Sequence, residues 1–148
     1  GKLLWEVQLA VQHGCIINVD SHYDLRHIAQ EAKMQKKSVN VFLRVNPDID
    51  SGVHDFIATG SGTSKFGVPR TEVDRVLNDI AAEPLLKLLG LHCHLGSTIH
   101  SIAVFSQCVD VMLAETAKAT HGGRCPHLKY VNLGGGLGID SAKHVSQQ

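Results

Sequence analysis

The sequence predicts an α/β fold in which helices cover a parallel sheet. Short β-branched apolar runs alternate with segments of helical period, and the runs are nearly continuously apolar, as strands buried on both faces are. Gly and Pro punctuate the junctions. The order is helix, strand, helix, strand, long loop, helix, strand, helix, strand. About four consecutive βα units fit either an open doubly wound sheet or part of a closed (β/α)8 barrel, which takes about 250 residues when complete. Spacing leaves both architectures open.

Leu4, Val7 and Val11 share one helical face, and Gly14 follows as a C-terminal stop. "CIINV" (15–19) is too short for a buried helix and reads as a strand. Ser21 and Asp24 form an S-x-x-D capping box ahead of Leu25, Ile28, Ala29 and Ala32 at helical spacing. "VNVFLRVN" (39–46) is the second strand, ended by Pro47. Residues 47–67 keep neither period and hold four glycines, and irregular segments of that length inside a domain usually serve function. Val73, Val76, Leu77 and Ile80 then mark a helix that must stop before Pro84. "LLKLLGLHCHL" (85–95) is a strand, Phe105, Val109, Met112 and Leu113 mark a strong amphipathic helix closed by Gly122 and Gly123, and "LKYVNLGGGLG" runs a strand into glycines.

Composition excludes several classes of function. With 14 basic and 14 acidic residues, the chain lacks the clustered cationic excess that nucleic-acid binding requires. No apolar run reaches membrane-spanning length, and "GKLLWEVQLA" has no secretory-signal pattern. Cys15, Cys93, Cys108 and Cys125 form no CxxC pair, the usage expected of free thiols in a reducing compartment.

"GGGLG" (134–138) leaves a strand with amides free to wrap an anion. It is not the dinucleotide fingerprint, because Ile139 and Ser141 stand where the last glycine would be, and "GSGTSK" is not a P-loop. A phosphate site is the expectation. On a strand, His92 and His94 point the same way and Cys93 the other. They could bind zinc with further ligands, serve as core histidines, or present a flat ring to an aromatic cofactor whose phosphate Ser97 reaches. Spacing alone does not choose among these.

"LRVNPDID", "ATGSGTSKFGV", "GLHCHLGS" and "YVNLGGGLGID", in this order and at these separations, resemble the core motifs of the diaminopimelate decarboxylases, above all the plant and algal form. The resemblance runs from the opening "GK" through "GGGLGID" and departs only over "SAKHVSQQ". Any one motif is weak; four in order are specific. The resemblance implies a partial (β/α)8 TIM barrel of the alanine-racemase-like class and pyridoxal 5'-phosphate as cofactor. It implies decarboxylation of meso-2,6-diaminopimelate to L-lysine and carbon dioxide, the last step of lysine biosynthesis, with the cofactor ring as electron sink. It further implies a homodimer, no nucleic-acid or membrane partner, and a plastid stroma, or the cytoplasm for a bacterial form.

By resemblance, His94 stacks on the pyridine ring, Ser97, Gly134, Gly135 and Gly136 cradle the phosphate, Arg44 lies near the ring, and Lys65 sits close to the subunit interface and active site. His92 carries no implied role and is expected to pack. The family's covalently linked lysine belongs to a "YAxKAN"-like strand with no counterpart here; Lys2 belongs to "GK" and is not it. The acidic partner of the pyridine nitrogen, the substrate arginines and the C-terminal β domain also have no counterpart. Residues 1–148 are therefore expected to be the central part of the cofactor-binding barrel domain, inactive and poorly soluble alone. The rival readings are an ornithine, arginine or carboxynorspermidine decarboxylase of the same barrel, a zinc-dependent barrel hydrolase using His92 and His94, and a noncatalytic binding homologue.

Overall fold

The structure, a computed structural model, describes residues 1–49 and 66–139. The elements are α1 (Leu4–Gln12), β1 (Ile17–Val19), α2 (His22–Gln35), β2 (Val39–Asn46), β3 (Val68–Pro69), α3 (Arg70–Ala82), β4 (Leu86–His92), α4 (Ile102–Thr120) and β5 (Tyr130–Asn132). The sheet order is β1-β2-β4-β5, every pairing is parallel, and two-residue β3 pairs with the end of β2. Strands thus join in sequence order with no reversal, the winding of a barrel. A doubly wound sheet would reverse direction at a switch point.

One sheet face carries the core. Along β2, Val39, Val41, Leu43 and Val45 are buried against the helices, while Asn40, Phe42, Arg44 and Asn46 alternate onto the other, half-open face. In β4 a bulge interrupts that alternation. Val41 pairs with Leu88 but Phe42 pairs with Gly90, so Leu89 is the extra residue. The bulge keeps Leu88 and Leu91 both on the helix side and turns Gly90 and His92 onto the open face. A regular strand would have driven His92 into the helices.

Local chemistry accounts for most boundaries. Ser21 Oγ accepts the Asp24 N–H at 3.2 Å, the expected cap of α2. The return half of the box differs, because the Asp24 carboxylate accepts the Asp20 N–H and the Lys2 ammonium instead. Lys36 closes α2 in the left-handed conformation. Helix α3 buries Val73, Val76, Leu77 and Ile80 as its period predicts and stops two residues before Pro84.

Two expectations need correction. Leu4 is exposed, since α1 meets the core through Val7 and Val11 in its later turns. In α4 the buried row is Cys108, Met112, Glu115 and Ala119, and Leu113 faces out. The helix is rotated from its apolar stripe because two specific contacts hold it. Cys108 Sγ lies 3.2 Å from Cys93 Sγ, and the wholly buried Glu115 carboxylate meets Arg70 Nε at 3.1 Å and Lys118 Nζ at 3.0 Å. A buried charge is tolerated only when paired. The expected loop over 47–67 falls mostly outside the described residues. Among the described residues no helix is long and apolar enough to cross a membrane.

The thiols make a first prediction. Burial pushes the Cys93, Cys108 and Cys125 thiols up, away from the reactive thiolate, whereas Cys15 is exposed. Iodoacetamide should label Cys15 in the native protein and the other three only after denaturation, as read by peptide mass mapping. Equal native labelling of Cys15 and Cys93 would mean that α4 does not seal this side of β4.

Candidate active site

The open sheet face is arranged in three tiers, each set by strand register and termed the floor, middle and rim of a bowl. The floor is aromatic: Phe42 and Tyr130 stack at 6.1 Å on either side of Gly90. A Cβ at Gly90 would lie 2.7 Å from the Tyr130 carbonyl and 2.9 Å from Phe42 Cζ, so only glycine lets the rings close over β4. The middle tier is polar. Arg44 pairs in register with His92, and His92 with Asn132, while Asp20 follows β1 at the side. The rim is built by the segments that leave β4 and β5.

Asp20 is held by Lys2, whose Nζ reaches Asp20 at 2.8 Å and Asp24 at 2.9 Å. Burial pulls the Lys2 pKa down, yet its two carboxylate partners outweigh that and leave it raised. Lys2 is therefore committed to an ion pair with Asp20 and Asp24. Arg44 has no hydrogen bond or ion pair among the described residues, and its guanidinium sits over the Phe66 ring, 5.4 Å from the centroid.

At the rim two loops are zipped together. The Ile99 N–H donates to the Gly136 carbonyl at 2.8 Å, and the Gly138 N–H donates to the Ile99 carbonyl at 2.9 Å. Gly134 (φ +75°) lies where a Cβ would be 2.5 Å from the Cys93 carbonyl and 2.9 Å from His94 Nδ1. Gly136 (φ +94°) lies where a Cβ would run into the Gly96 carbonyl and come 3.3 Å from the Ser97 Cα. Gly135 between them faces open space. The Gly135 N–H donates to His94 Nδ1 at 3.4 Å, which places the His94 proton on Nε2 and holds its ring beside the loop.

The structure therefore brings together His94, Ser97, Gly134, Gly135 and Gly136, and sets Arg44 one tier below. Lys65 lies outside the described residues. β4 ends at His92, so His94 stands two residues along the chain from the strand's last residue, at the rim. Sequence reasoning missed Asn132, whose Oδ1 accepts the Gly134 N–H at 2.8 Å and whose carbonyl accepts the Cys93 N–H at 2.9 Å. The signal was available, since an Asn two residues before a glycine run is an Asx-turn pattern. Phe66 and the buried zipper residue Ile99 were also missed.

His92 and His94 differ in surroundings. His92 Nδ1 is buried and unpartnered among the described residues. Burial holds its imidazole below the ordinary 6.5, Arg44 and His94 add to this, and Asp20 alone opposes it. A lowered pKa means that the unfolded chain takes up a proton first as pH falls. Stability contributed by His92 should drop from about pH 6.5 downward until the folded state also protonates. In the full-length chain His92→Gln should flatten that acid limb, measured as denaturation midpoints at pH 7.5 and 5.5; parallel pH profiles for variant and wild type would refute it. Among the described residues no group of three or more His, Cys, Asp or Glu side chains is arranged to hold a metal ion.

Parallel βα units wound in sequence order, with glycine-lined loops packed together beyond the C-terminal ends of neighbouring strands, define a βα-barrel segment with its candidate site at the C-terminal face. Residues 2–148 match the family described as pyridoxal-dependent decarboxylase, pyridoxal binding domain, and the chain belongs to that family. A probable chloroplastic diaminopimelate decarboxylase of Oryza sativa subsp. japonica is 40% identical over 141 residues, covering 95% of this chain and 28% of that relative. A diaminopimelate decarboxylase of Bacteroides thetaiotaomicron is 38% identical over 144 residues, covering 95% of this chain and 36% of that relative. The crystal structure of a diaminopimelate decarboxylase from M. jannaschii in complex with L-lysine superposes with a TM-score of 0.79 at 28% identity, covering 94% of this chain and 32% of that one. The fold is accordingly a partial (β/α)8 barrel. The chain spans roughly a third of the length of these relatives.

Proposed function

We propose that this chain is the central part of the cofactor-binding barrel of a pyridoxal-phosphate-dependent decarboxylase that converts meso-2,6-diaminopimelate to L-lysine and carbon dioxide. The observation that carries the reading is the glycine rim: Gly134 and Gly136 are locked against the end of β4, and the open space at Gly135 is the kind that a phosphate fills. The residues present fit the group. The rim offers Ser97 and the Gly135 and Gly136 amides, His94 offers a flat ring whose Nε2 has no hydrogen-bond partner among the described residues, and Arg44 offers a cation with no ion-pair partner among them. When bound, pyridoxal phosphate supplies an electron sink for the bond that breaks.

Each side chain then has a task. Ser97, the Gly136 amide and the Gly135 amide, whose bond to His94 is long at 3.4 Å, anchor the phosphate. Gly134 shapes the cradle with its own amide held by Asn132, and His94 lies against the ring and fixes its plane. Arg44 balances anionic charge in the bowl. The Phe42 and Tyr130 floor offers an apolar surface below the site, and neutral His92 leaves the Arg44 charge unpaired for the ligand. The substrate assignment is supported by the names that the rice and Bacteroides relatives carry over this same segment. A homodimer that completes the site, with Lys65 at its interface, and a plastid location, as for the rice relative, belong to the same reading.

The test is to load the full-length protein with pyridoxal phosphate and supply meso-diaminopimelate, L-ornithine, L-arginine or carboxynorspermidine in turn. Equimolar L-lysine and carbon dioxide from diaminopimelate alone is the expected result. Preference for another amine would move the substrate class within the barrel. Cofactor binding without turnover would identify a binding homologue, and stoichiometric zinc with hydrolytic activity a metal enzyme.

A further inference from the structure

Phe66 is apolar and 68% exposed, and it is absent from the hydrophobic core. Its position is nevertheless tightly determined. The next residue, Gly67, adopts φ +86°, and a Cβ there would lie 3.0 Å from the Asn46 nitrogen and 3.1 Å from the Arg44 carbonyl. Val68 then pairs with Val45. The chain is thus clamped onto the backbone of β2 beside Arg44 by a turn that only glycine fits, and the residue delivered by that clamp is an aromatic ring under the guanidinium.

The choice of an aromatic ring has a chemical consequence. A carboxylate beside Arg44 would neutralise it and occupy its N–H donors. The negative face of a ring attracts the cation through its plane and leaves all those donors uncommitted. Among the described residues no other group orients Arg44, since its cross-strand neighbour His92 is held neutral by burial.

We propose that Phe66 is a positioning residue of the site, acting through Arg44: it holds the guanidinium over its ring at the wall of the bowl so that the N–H donors meet an oxyanion of the bound cofactor or substrate. The identity of that oxyanion rests on the function proposed above. The ring contact itself does not.

The experiment uses the full-length chain as wild type, Phe66→Leu, Phe66→Tyr, Arg44→Ala and Phe66→Leu with Arg44→Ala. In the cofactor-free protein, the side-chain resonances of Arg44 should show a ring-current shift that Phe66→Tyr keeps and Phe66→Leu loses. In cofactor titrations and substrate KM, Phe66→Leu should weaken binding by about threefold to tenfold and Phe66→Tyr by less than about twofold. In the Arg44→Ala background Phe66→Leu should add nothing. Equal effects of Leu and Tyr, or an undiminished effect without Arg44, would overturn the proposal. Should the wild type fail to bind pyridoxal phosphate, the functional reading fails, while the ring-current shift still decides whether Phe66 orients Arg44.

Discussion

Gly136→Ala is expected to abolish cofactor binding and to destabilise the chain by about 3–5 kcal/mol, while Gly135→Ala leaves stability nearly unchanged and weakens only the cofactor, whose phosphate meets the added methyl. Three adjacent glycines that look alike in sequence are unlike in space. At Gly136 an added methyl meets the Gly96 carbonyl, and at φ +94° the backbone itself resists any L side chain. Neither neighbour can yield, because the Ile99 zipper ties the two loops together at Gly136 and again at Gly138. Gly134→Ala meets the Cys93 carbonyl and the His94 ring and should behave similarly. A methyl added at Gly135 would meet no atom within 4 Å, so alanine fits there. Gly135→Asp separates shape from charge: it should fold, yet repel a phosphate from the cradle. Denaturation midpoints together with absorbance titration of pyridoxal phosphate on the full-length chain check all four variants. A loss of stability from Gly135→Ala equal to that from Gly136→Ala would mean that the loop is not packed against β4 as described.

The same contrast marks how far a sequence reading reaches. The helices α2 and α3 and the strand β2 were legible because a single periodicity governs them, and every apolar position named in α3 is buried. The candidate rim residues were legible because "GLHCHLGS" and "GGGLG" are local in sequence. What stayed hidden depends on contacts between distant segments. The rotation of α4 follows from Glu115 meeting Arg70 and Cys108 meeting Cys93, and neither partner is visible in a helical wheel. The bulge at Leu89 is a matter of register with β2, so the sequence alone placed both histidines on one face without showing how a strand otherwise facing its leucines inward turns them outward. The differing roles of Gly134, Gly135 and Gly136 depend on where the end of β4 lies against them.

His94→Ala should weaken pyridoxal phosphate by about tenfold and lower turnover with it, at little cost in stability. The side chain is half-buried at the rim, and its one hydrogen bond among the described residues, from the Gly135 N–H, is long at 3.4 Å. Losing it frees an amide that faces solvent or ligand, so no buried donor is orphaned. If the imidazole acts as a flat surface against the cofactor ring, His94→Phe restores much of the affinity, because it keeps the plane and discards only Nδ1. His92→Ala provides the contrast. Its Nδ1 already lacks a partner among the described residues, so removing the ring strands no further polar group, and the cost is lost packing of about 1 kcal/mol. Cofactor affinity should be retained, since His92 stands a tier below the glycine rim, level with Arg44. Affinity, turnover and melting temperature measured for the three variants in the full-length protein separate the roles. Retained affinity in His94→Ala combined with its loss in His92→Ala would place the cofactor in the middle tier of the bowl, against Arg44, and would remove the glycine rim from its proposed task.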